Sequence, residues 1–468
     1  MSRDWRNRQS VLRLLSGGRD CRAVALAKAD PASHIYRRPT RLQLARPHAS
    51  QRCVNLWRDP KARLILMANF LLVVGSGITF IAVPWLLVHQ PSGEALYGGT
   101  NAILTLLIFL LLPYLGKAID RNPRKNVLLI YLACAVAVNL FVTGAILFQG
   151  HVESWHLLTV FSLGSFGFSV YYPAQFAFNQ EVIAPDQYAA LSGAIEVQWQ
   201  AGAMIAGGLA AVVIGRVPLP AILLFDAATY VAGFALIAMI PYKRAPWEGG
   251  SVSAWKMMFE GVTYLRQRPR LSVVIFGSFL PFLALMVGNY LAPIFVKDVL
   301  QAGPAIYALG EITYGVGAVA AGLTVPALNR RAGLIPTLLA TVSVFAVAVV
   351  VNPIFPAICV LLASFVFQGW GNAGSRVART TLILQTVPNA IVGRVTLFYS
   401  ALERLLRSAL LALATFQVAT VGSKAGYWML GAVAACGWLL IFACRKIRPY
   451  QIEPETPIGE APKTSVTL

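Results

Sequence analysis

Acidic residues are scarce in this chain of 468 residues: 19 Asp and Glu stand against 39 Lys and Arg, and charged residues of both signs make up 12% of the total. So small a charged fraction, beside 57% hydrophobic residues and a mean hydropathy of +0.65, leaves a soluble globule no means of covering its apolar surface. Lipid is the solvent that fits. The six cysteines (Cys21, Cys53, Cys134, Cys359, Cys436, Cys444) form no C-x-x-C pair, which excludes a disulfide framework and a thiolate metal site; they read as packing residues. The five histidines form no H-x-x-x-H cluster, so the chain lacks the constellation that a membrane-embedded metalloenzyme would need. No G-x-x-x-x-G-K-[ST] loop is present, so neither ATP nor any other cofactor is expected, and an ion gradient is the default energy source.

What the chain has is apolar runs of membrane-crossing length. A spanning helix needs about 20 apolar residues to cross roughly 30 Å of hydrocarbon. Such runs cover residues 64–88, 99–119, 126–148, 155–180, 188–214 and 219–241, then 271–296, 304–327, 333–352, 355–380, 394–420 and 425–444. The expected fold is an all-α membrane protein of twelve transmembrane helices in two six-helix halves, residues 61–241 and 271–446.

The net charge of +20 raises the question of nucleic acid, but its distribution answers it. Lys117, Arg121, Arg124 and Lys125 follow the second run. Lys243, Arg244, Lys256, Arg266, Arg268 and Arg270 follow the sixth, and Arg330 and Arg331 the eighth, all on one side. Loops 89–98, 149–154 and 352–356 contain no Lys or Arg. By the positive-inside rule both termini face the cytoplasm, with no nucleic-acid partner. Residues 1–60 form an Arg-rich arm without a glutamate and without an apolar signal-peptide core. It reads as a disordered cytoplasmic arm, an organellar transit segment or an over-long start, and residues 447–468 read as a disordered tail. In the central insert, residues 242–270, the helical spacing of Trp255, Met258, Phe259, Val262 and Leu265 predicts an amphipathic helix lying on the membrane surface as a bridge between the halves.

The loop after the second run reads Gly116-Lys-Ala-Ile-Asp120-Arg121-Asn-Pro-Arg124-Lys125. A carboxylate at a helix end, followed at once by guanidinium and ammonium groups, can lock neighbouring helix ends on the cytoplasmic side, and breaking that lock would open the side. In position and spacing the loop resembles the G-x-x-x-D-R-x-x-R-[RK] signature of the major facilitator superfamily. In that reading Gly116 allows two helices to approach closely, and Pro123 replaces a usual Gly. The second half echoes the first. Asn329-Arg330-Arg331 stands at the equivalent loop without its carboxylate, and Gln385-Thr-Val-Pro388 matches Gln180-Glu-Val-Ile-Ala-Pro185 at the end of the fourth run. Tyr172-Pro-Ala-Gln175, Glu260-Gly-Val-Thr-Tyr264-Leu265-Arg266 and Gly393-Arg-Val395 look like the branch containing enterobactin-type siderophore exporters and macrolide efflux proteins. That resemblance implies proton-driven outward transport by alternating access. Ala203-Met-Ile-Ala-Gly207-Gly208 departs from it, since the exporter motif of the fifth run usually carries Gly-Pro.

An ionisable group inside a span costs about 2.5–3.5 kcal/mol on the insertion scale, so each one needs a partner or a wet cavity. Glu196, Asp226, Glu311 and Glu403 are the proton-coupling candidates, with Arg376, Arg379, Arg404 and Arg407 as charge partners. Glu403 and Arg407 lie four apart on one helix face, which predicts an ion pair; Asp226 also reads as a tie between helices. Glu196 and Glu311 have no basic residue within four positions and suit coupling best. Because the first and fourth spans of each half line the cavity in the resembled superfamily, Asn69, Thr79, Tyr171, Gln175, Asn289, Gln368, Trp370 and Asn372 are the candidate cavity residues. The expectation is a monomeric exporter of a siderophore, drug or secondary metabolite in the inner membrane, with protons and lipid as its other partners. Uptake or lipid flipping on the same fold is the alternative.

Overall fold

The computed structural model describes residues 58–184, 187–243 and 254–446. Residues 1–57 of the arm, the tail from 447, Pro185 and Arg244 lie outside the described residues, as does the side chain of Trp255. Thirteen helices make up the described chain: α1 (Pro60–Leu87), α2 (Gly93–Arg121), α3 (Arg124–Gln149), α4 (Ser154–Val182), α5 (Tyr188–Val213), α6 (Leu219–Met239), α7 (Ala254–Arg266), α8 (Pro269–Asp298), α9 (Pro304–Ala332), α10 (Leu334–Ile354), α11 (Ile358–Thr386), α12 (Asn389–Thr420) and α13 (Ser423–Ala443). Hydrocarbon offers backbone N–H and C=O groups no partner, so a spanning segment must satisfy them internally, as these helices do. Nine of the described helices are long and apolar enough to cross a membrane. The other long ones, α5, α11 and α12, carry the Gln198–Gln200 pair, Arg376 with Arg379, and Glu403 with Arg404 and Arg407 within their spans.

Local signals place the helix ends. Asp59 caps α1 by accepting from the Lys61 amide at 2.9 Å. Glu153 and His156 form a reciprocal capping box at the start of α4. Gly150 closes α3 at φ 76°, a left-handed conformation open to glycine at little cost. The helices run past the apolar runs by several residues because their polar ends add nothing to hydropathy.

The packing is that of two related bundles. In the first half α1 packs on α5 and α6, α3 on α4 and α6, and α2 on α4; in the second α8 packs on α12 and α13, α10 on α11 and α13, and α9 on α11. Each of these contacts has its counterpart in the other half. The main contacts between halves, α2 on α12 and α5 on α9, exchange under the same correspondence, which is the mark of a two-fold pseudo-repeat. Helices meet in lipid without a hydrophobic drive, so close approach at small residues carries the association. At α9 against α11, a Cβ on Gly317 would overlap the Val366 carbonyl, and one on Gly369 the Tyr314 carbonyl.

Helix α7 lies in the central insert and has one buried and one exposed face. Tyr264 and Leu265 are buried with Gly261, whereas Phe259 is 62% exposed, and the buried face lies against α12. The cause is Gly261: a Cβ there would stand 2.6 Å from the Arg394 carbonyl oxygen, so only glycine lets the two backbones meet. Arg394 pairs with Glu260 at 2.8 Å, and the Tyr264 hydroxyl donates to the Thr386 carbonyl at 3.1 Å. Replacing Gly261 with Val is therefore expected to undock α7 at a cost of about 1–3 kcal/mol. The readouts are a lower thermal midpoint and faster tryptic cleavage at Arg266, with the exposed Thr263→Val as the unaffected control.

Candidate functional site

Helix α1 begins and α13 ends at the same, proximal end of the bundle; the α1–α2 and α3–α4 loops mark the distal end. At the distal end the halves are sealed together. Lys297, in the last turn of α8, reaches Glu94 on α2 at 2.7 Å and the Val88 carbonyl at 2.8 Å. The Tyr290 hydroxyl donates to the Glu94 carbonyl at 3.2 Å, the Tyr97 hydroxyl to the Asn289 carbonyl at 3.4 Å, and the two rings lie 5.3 Å apart. Trp85 stacks on Tyr307 at 6.1 Å, and Ser408 donates to the Ala102 carbonyl at 2.8 Å. One hydrophobic core runs through this end, from Ile78 and Tyr97 to Tyr290, Tyr307 and Leu411. Toward the proximal end the core divides in two, one part around Leu128 and Phe178 in the first half and the other around Val342 and Tyr399 in the second.

The signature loop lies at the proximal end and clamps the first half to itself. Arg124 pairs with Glu181 at 3.1 Å and donates to the Ala177 carbonyl at 3.0 Å, fastening α3 to the end of α4. Lys125 donates to the carbonyls of Ala238 and Ile240 at 2.7 and 2.8 Å, fastening α3 to the end of α6. The Tyr242 hydroxyl completes the clamp by donating to Glu181 at 2.6 Å. Burial first, and then the hydrogen bond to Glu181, push the Tyr242 phenol above its ordinary range. Its contribution is therefore whole at neutral pH and fades only as the pH climbs through that raised value. Glu181 and Tyr242 were not among the sequence candidates; Glu181 could have been found from the fourth-run motif that contains it. The Asp120 side chain lies outside the described set. The close approach expected at Gly116 is absent, since a Cβ there would meet no atom within 4 Å among the described residues. The physical reason is that α2 meets α12 around Gly98 and Ala102, at its other end.

The polar residues within the spans mostly tie helices together. Asp226 on α6 is buried and accepts from Thr79 on α1 at 3.2 Å and from Asn139 on α3 at 3.0 Å. Glu403 and Arg407 form the expected pair at 3.3 Å. Arg379 lies over the Phe279 ring at 3.7 Å and donates to the Ser278 carbonyl at 2.9 Å, joining α11 to α8. Glu311, half-buried on α9, faces α5 at Gly207, and no hydrogen bond or ion pair reaches its carboxylate among the described residues. Glu196 lies on α5, with its side chain outside the described set.

Several candidate cavity residues turn out to face their neighbours instead. Asn69 and Gln175 are buried and bonded to each other, joining α1 to α4. Gln368 donates to Ser364 at 3.3 Å and Asn372 to the Tyr314 hydroxyl at 2.8 Å, both buried. Trp370 donates to Thr324 on α9 at 2.9 Å. Tyr171 packs on Tyr131 of α3 at 5.5 Å, so it is the next residue, Tyr172, that turns the other way. Asn289 offers its carbonyl to the distal seal. The Asn69–Gln175, Asn372–Tyr314 and Trp370–Thr324 bonds tie one helix to another, while Gln368 bonds within α11. What the sequence reading missed is an aromatic wall made by three helices of the first half. Phe80 (α1) lies 6.3 Å from Phe168 (α4), which lies 5.2 Å from Tyr172 and 6.0 Å from Trp199 (α5); Tyr172 and Trp199 are 5.0 Å apart. Beside Phe168, Ser169 accepts a hydrogen bond at 3.4 Å from Arg404 of the second half.

A profile of the major facilitator superfamily matches residues 65–358, more than half of the chain. The chain belongs to the major facilitator superfamily. Among solved structures, a point mutant of the nucleoside transporter NupG is similar at 12% identity and a TM-score of 0.66, over 83% of this chain and 100% of that one. A bacterial homologue of the iron transporter ferroportin, in its inward-facing state, is similar at 17% identity and a TM-score of 0.64, over 83% and 99%. A D-xylose–proton symporter is similar at 15% and 0.63, over 82% and 97%. At these identities the likeness is one of fold. No curated protein matches by sequence.

In a facilitator fold the distal seal and the proximal clamp carry separate expectations. Lys297→Gln removes a half-exposed pair worth about 1 kcal/mol, which shifts a two-state balance roughly fivefold. Spin labels at Gln149→Cys and Lys424→Cys, one on each half at the distal end, should show a longer distance component in that variant. An unchanged distribution contradicts the seal. Glu181→Gln should destabilise the first half by about 1–3 kcal/mol, read as a lower thermal midpoint, and Tyr242→Phe by less.

Proposed function

We propose that this protein is a secondary active transporter that exports a small organic molecule across the cytoplasmic membrane by proton antiport, with the two halves rocking about a central cavity. The observation that supports this most is the core shared by both halves at the distal end and divided between them at the proximal end. Two compact bodies joined at one end by a seam of rings and one ion pair can exchange that seam for another by a rigid-body rotation. The basic residues at the proximal end, Arg124, Lys125, Arg330 and Arg331, argue by the positive-inside rule that it faces the cytoplasm. The conformation is then inward-facing, and both termini are cytoplasmic. The outward direction of transport rests on the motifs that resemble siderophore and macrolide exporters.

Glu311 is the favoured coupling residue. Asp226 is occupied by two donors and Glu403 by Arg407, whereas Glu311 stands at the α5–α9 contact, a main junction between the halves, with no partner among the described residues. A carboxylate at a junction that opens and closes gains and loses water with each cycle, and its proton affinity must follow. Glu196, on α5 across that junction, is the second candidate.

The test needs no substrate. In lipid nanodiscs, a distal label pair (Gln149→Cys with Lys424→Cys) and a proximal pair (Asn122→Cys with Arg331→Cys) should respond to pH in opposite senses, one lengthening as the other shortens. Glu311→Gln should make both distributions indifferent to pH. Pairs that move together, or a parent protein whose distances ignore pH, would sink the proposal.

A further inference from the structure

The aromatic wall and Arg404 stand together near the middle of their helices, and the coupling scheme uses neither. Phe80 and Phe168 are 41% and 49% exposed, on helices that otherwise bury one face against the first half, and Tyr172 and Trp199 are half-buried beside them. Four rings from α1, α4 and α5 thus present a surface that the chain itself leaves partly uncovered. Opposite, α12 brings three ionisable groups, Glu403, Arg404 and Arg407. Glu403 and Arg407 neutralise each other at 3.3 Å. Arg404 is left as the surplus cation, and its described hydrogen bond is a long one, 3.4 Å, to the neutral hydroxyl of Ser169. A guanidinium presents five N–H donors in a planar fork that matches a carboxylate edge. Ser169 follows Phe168 directly in α4, so the cation and the ring face are neighbours.

From this juxtaposition we propose that the central site takes a planar aromatic carboxylate, its ring against Phe168, Tyr172 and Trp199 and its acid group on Arg404. The inference rests on the reading of the space between the halves as the transport path, and it specifies what that path carries. An aromatic surface alone would suit an organic cation equally well, through attraction to the ring faces. Arg404 decides against that, because like charges at contact in a poorly screened site repel more strongly than a ring attracts. A neutral ring would leave the guanidinium unpaired inside the span, whereas a carboxylate supplies the bidentate partner that Ser169 does not. The ring surface in turn selects an aromatic acid over a saturated one, since stacking adds to the burial of equal apolar area.

The test is equilibrium binding to the full-length protein in lipid nanodiscs, with no gradient imposed. The probes are 2-naphthoate, 2-naphthamide, 2-naphthylmethylammonium and the saturated decalin-2-carboxylate. Naphthoate should bind about tenfold more tightly than each of the others. Arg404→Gln should erase the preference for acid over amide, Arg404→Lys should keep part of it, and Trp199→Leu should narrow the preference for the aromatic acid over the saturated one. Thermal unfolding of each variant checks its integrity, and the Lys variant carries the test if the Gln variant does not fold. Equal or tighter binding of the amide or the ammonium, an Arg404→Gln protein that binds naphthoate like the parent, or no naphthoate binding at all would overturn the proposal. Failure here differs from failure of the transport reading. Label distances that exchange with pH while naphthoate does not bind refute only the substrate class. Naphthoate that binds while the distances stay fixed refutes only the alternating cycle.

Discussion

The ion pair from Glu94 to Lys297, set among Tyr97, Tyr290, Trp85 and Tyr307, is the junction on which the rest of the architecture depends. It joins two six-helix bundles that are each complete, with helix contacts of their own and, at the proximal end, a core of their own. An exposed ion pair contributes little, but this one is half-covered and backed by a continuous apolar core, so the distal end holds by the sum of many modest contacts. Modest contacts suit a joint that the proposed cycle opens. A seam worth tens of kcal/mol would fix one conformation, whereas a few kcal/mol leaves the alternative within thermal reach.

Within each bundle the opposite logic applies. Hydrocarbon gives no reward for bringing two apolar helices together, so cohesion comes from glycine contacts and from polar groups that find each other. Gly317 and Gly369 let α9 and α11 meet at backbone distance, and Asn69 with Gln175 and Asp226 with Thr79 and Asn139 stitch α1 to α4, α6 and α3. At the proximal end Arg124 and Lys125 gather the ends of α4 and α6 onto α3. The signature loop acts here as a clamp within one half, holding that half together as a body. The docking of α7 on α12 through Gly261 does the same for the second half.

Much of the fold was legible in the sequence, because a bilayer imposes a single length scale and a single polarity rule: runs of about 20 apolar residues, and basic loops on one side. The Glu403–Arg407 pair was legible for the same kind of reason, since spacing along one helix fixes which residues share a face. The site was less legible. Asn69, Gln175, Gln368 and Asn372 are the residues that an aqueous cavity would be expected to recruit, yet Asn69, Gln175 and Asn372 bond to a neighbouring helix and Gln368 bonds within its own, and helix phase within an apolar run leaves no mark in composition. Tyr171 and Tyr172 show the difficulty most sharply: adjacent in sequence, they point into the bundle and onto the aromatic wall respectively. Phe80, Phe168 and Trp199 look in sequence like any lipid-facing aromatic, and Lys297 and Glu94, 203 positions apart, are joined only by the fold. Of the apolar residues expected on the outer face of α7, Leu265 is buried and Phe259 exposed, because the missing side chain of Gly261 sets the face that docks.

Alternating access requires that the aromatic wall be reachable from one end at a time. Phe168→Cys in a cysteine-free background, probed with a membrane-impermeant thiol reagent in vesicles of both orientations, tests this most directly. The expected result is reaction from the proximal face in the otherwise unaltered protein, with reaction from the distal face appearing once Lys297 is replaced. Equal reaction from both faces without that replacement, or reaction from the distal face alone, would contradict it.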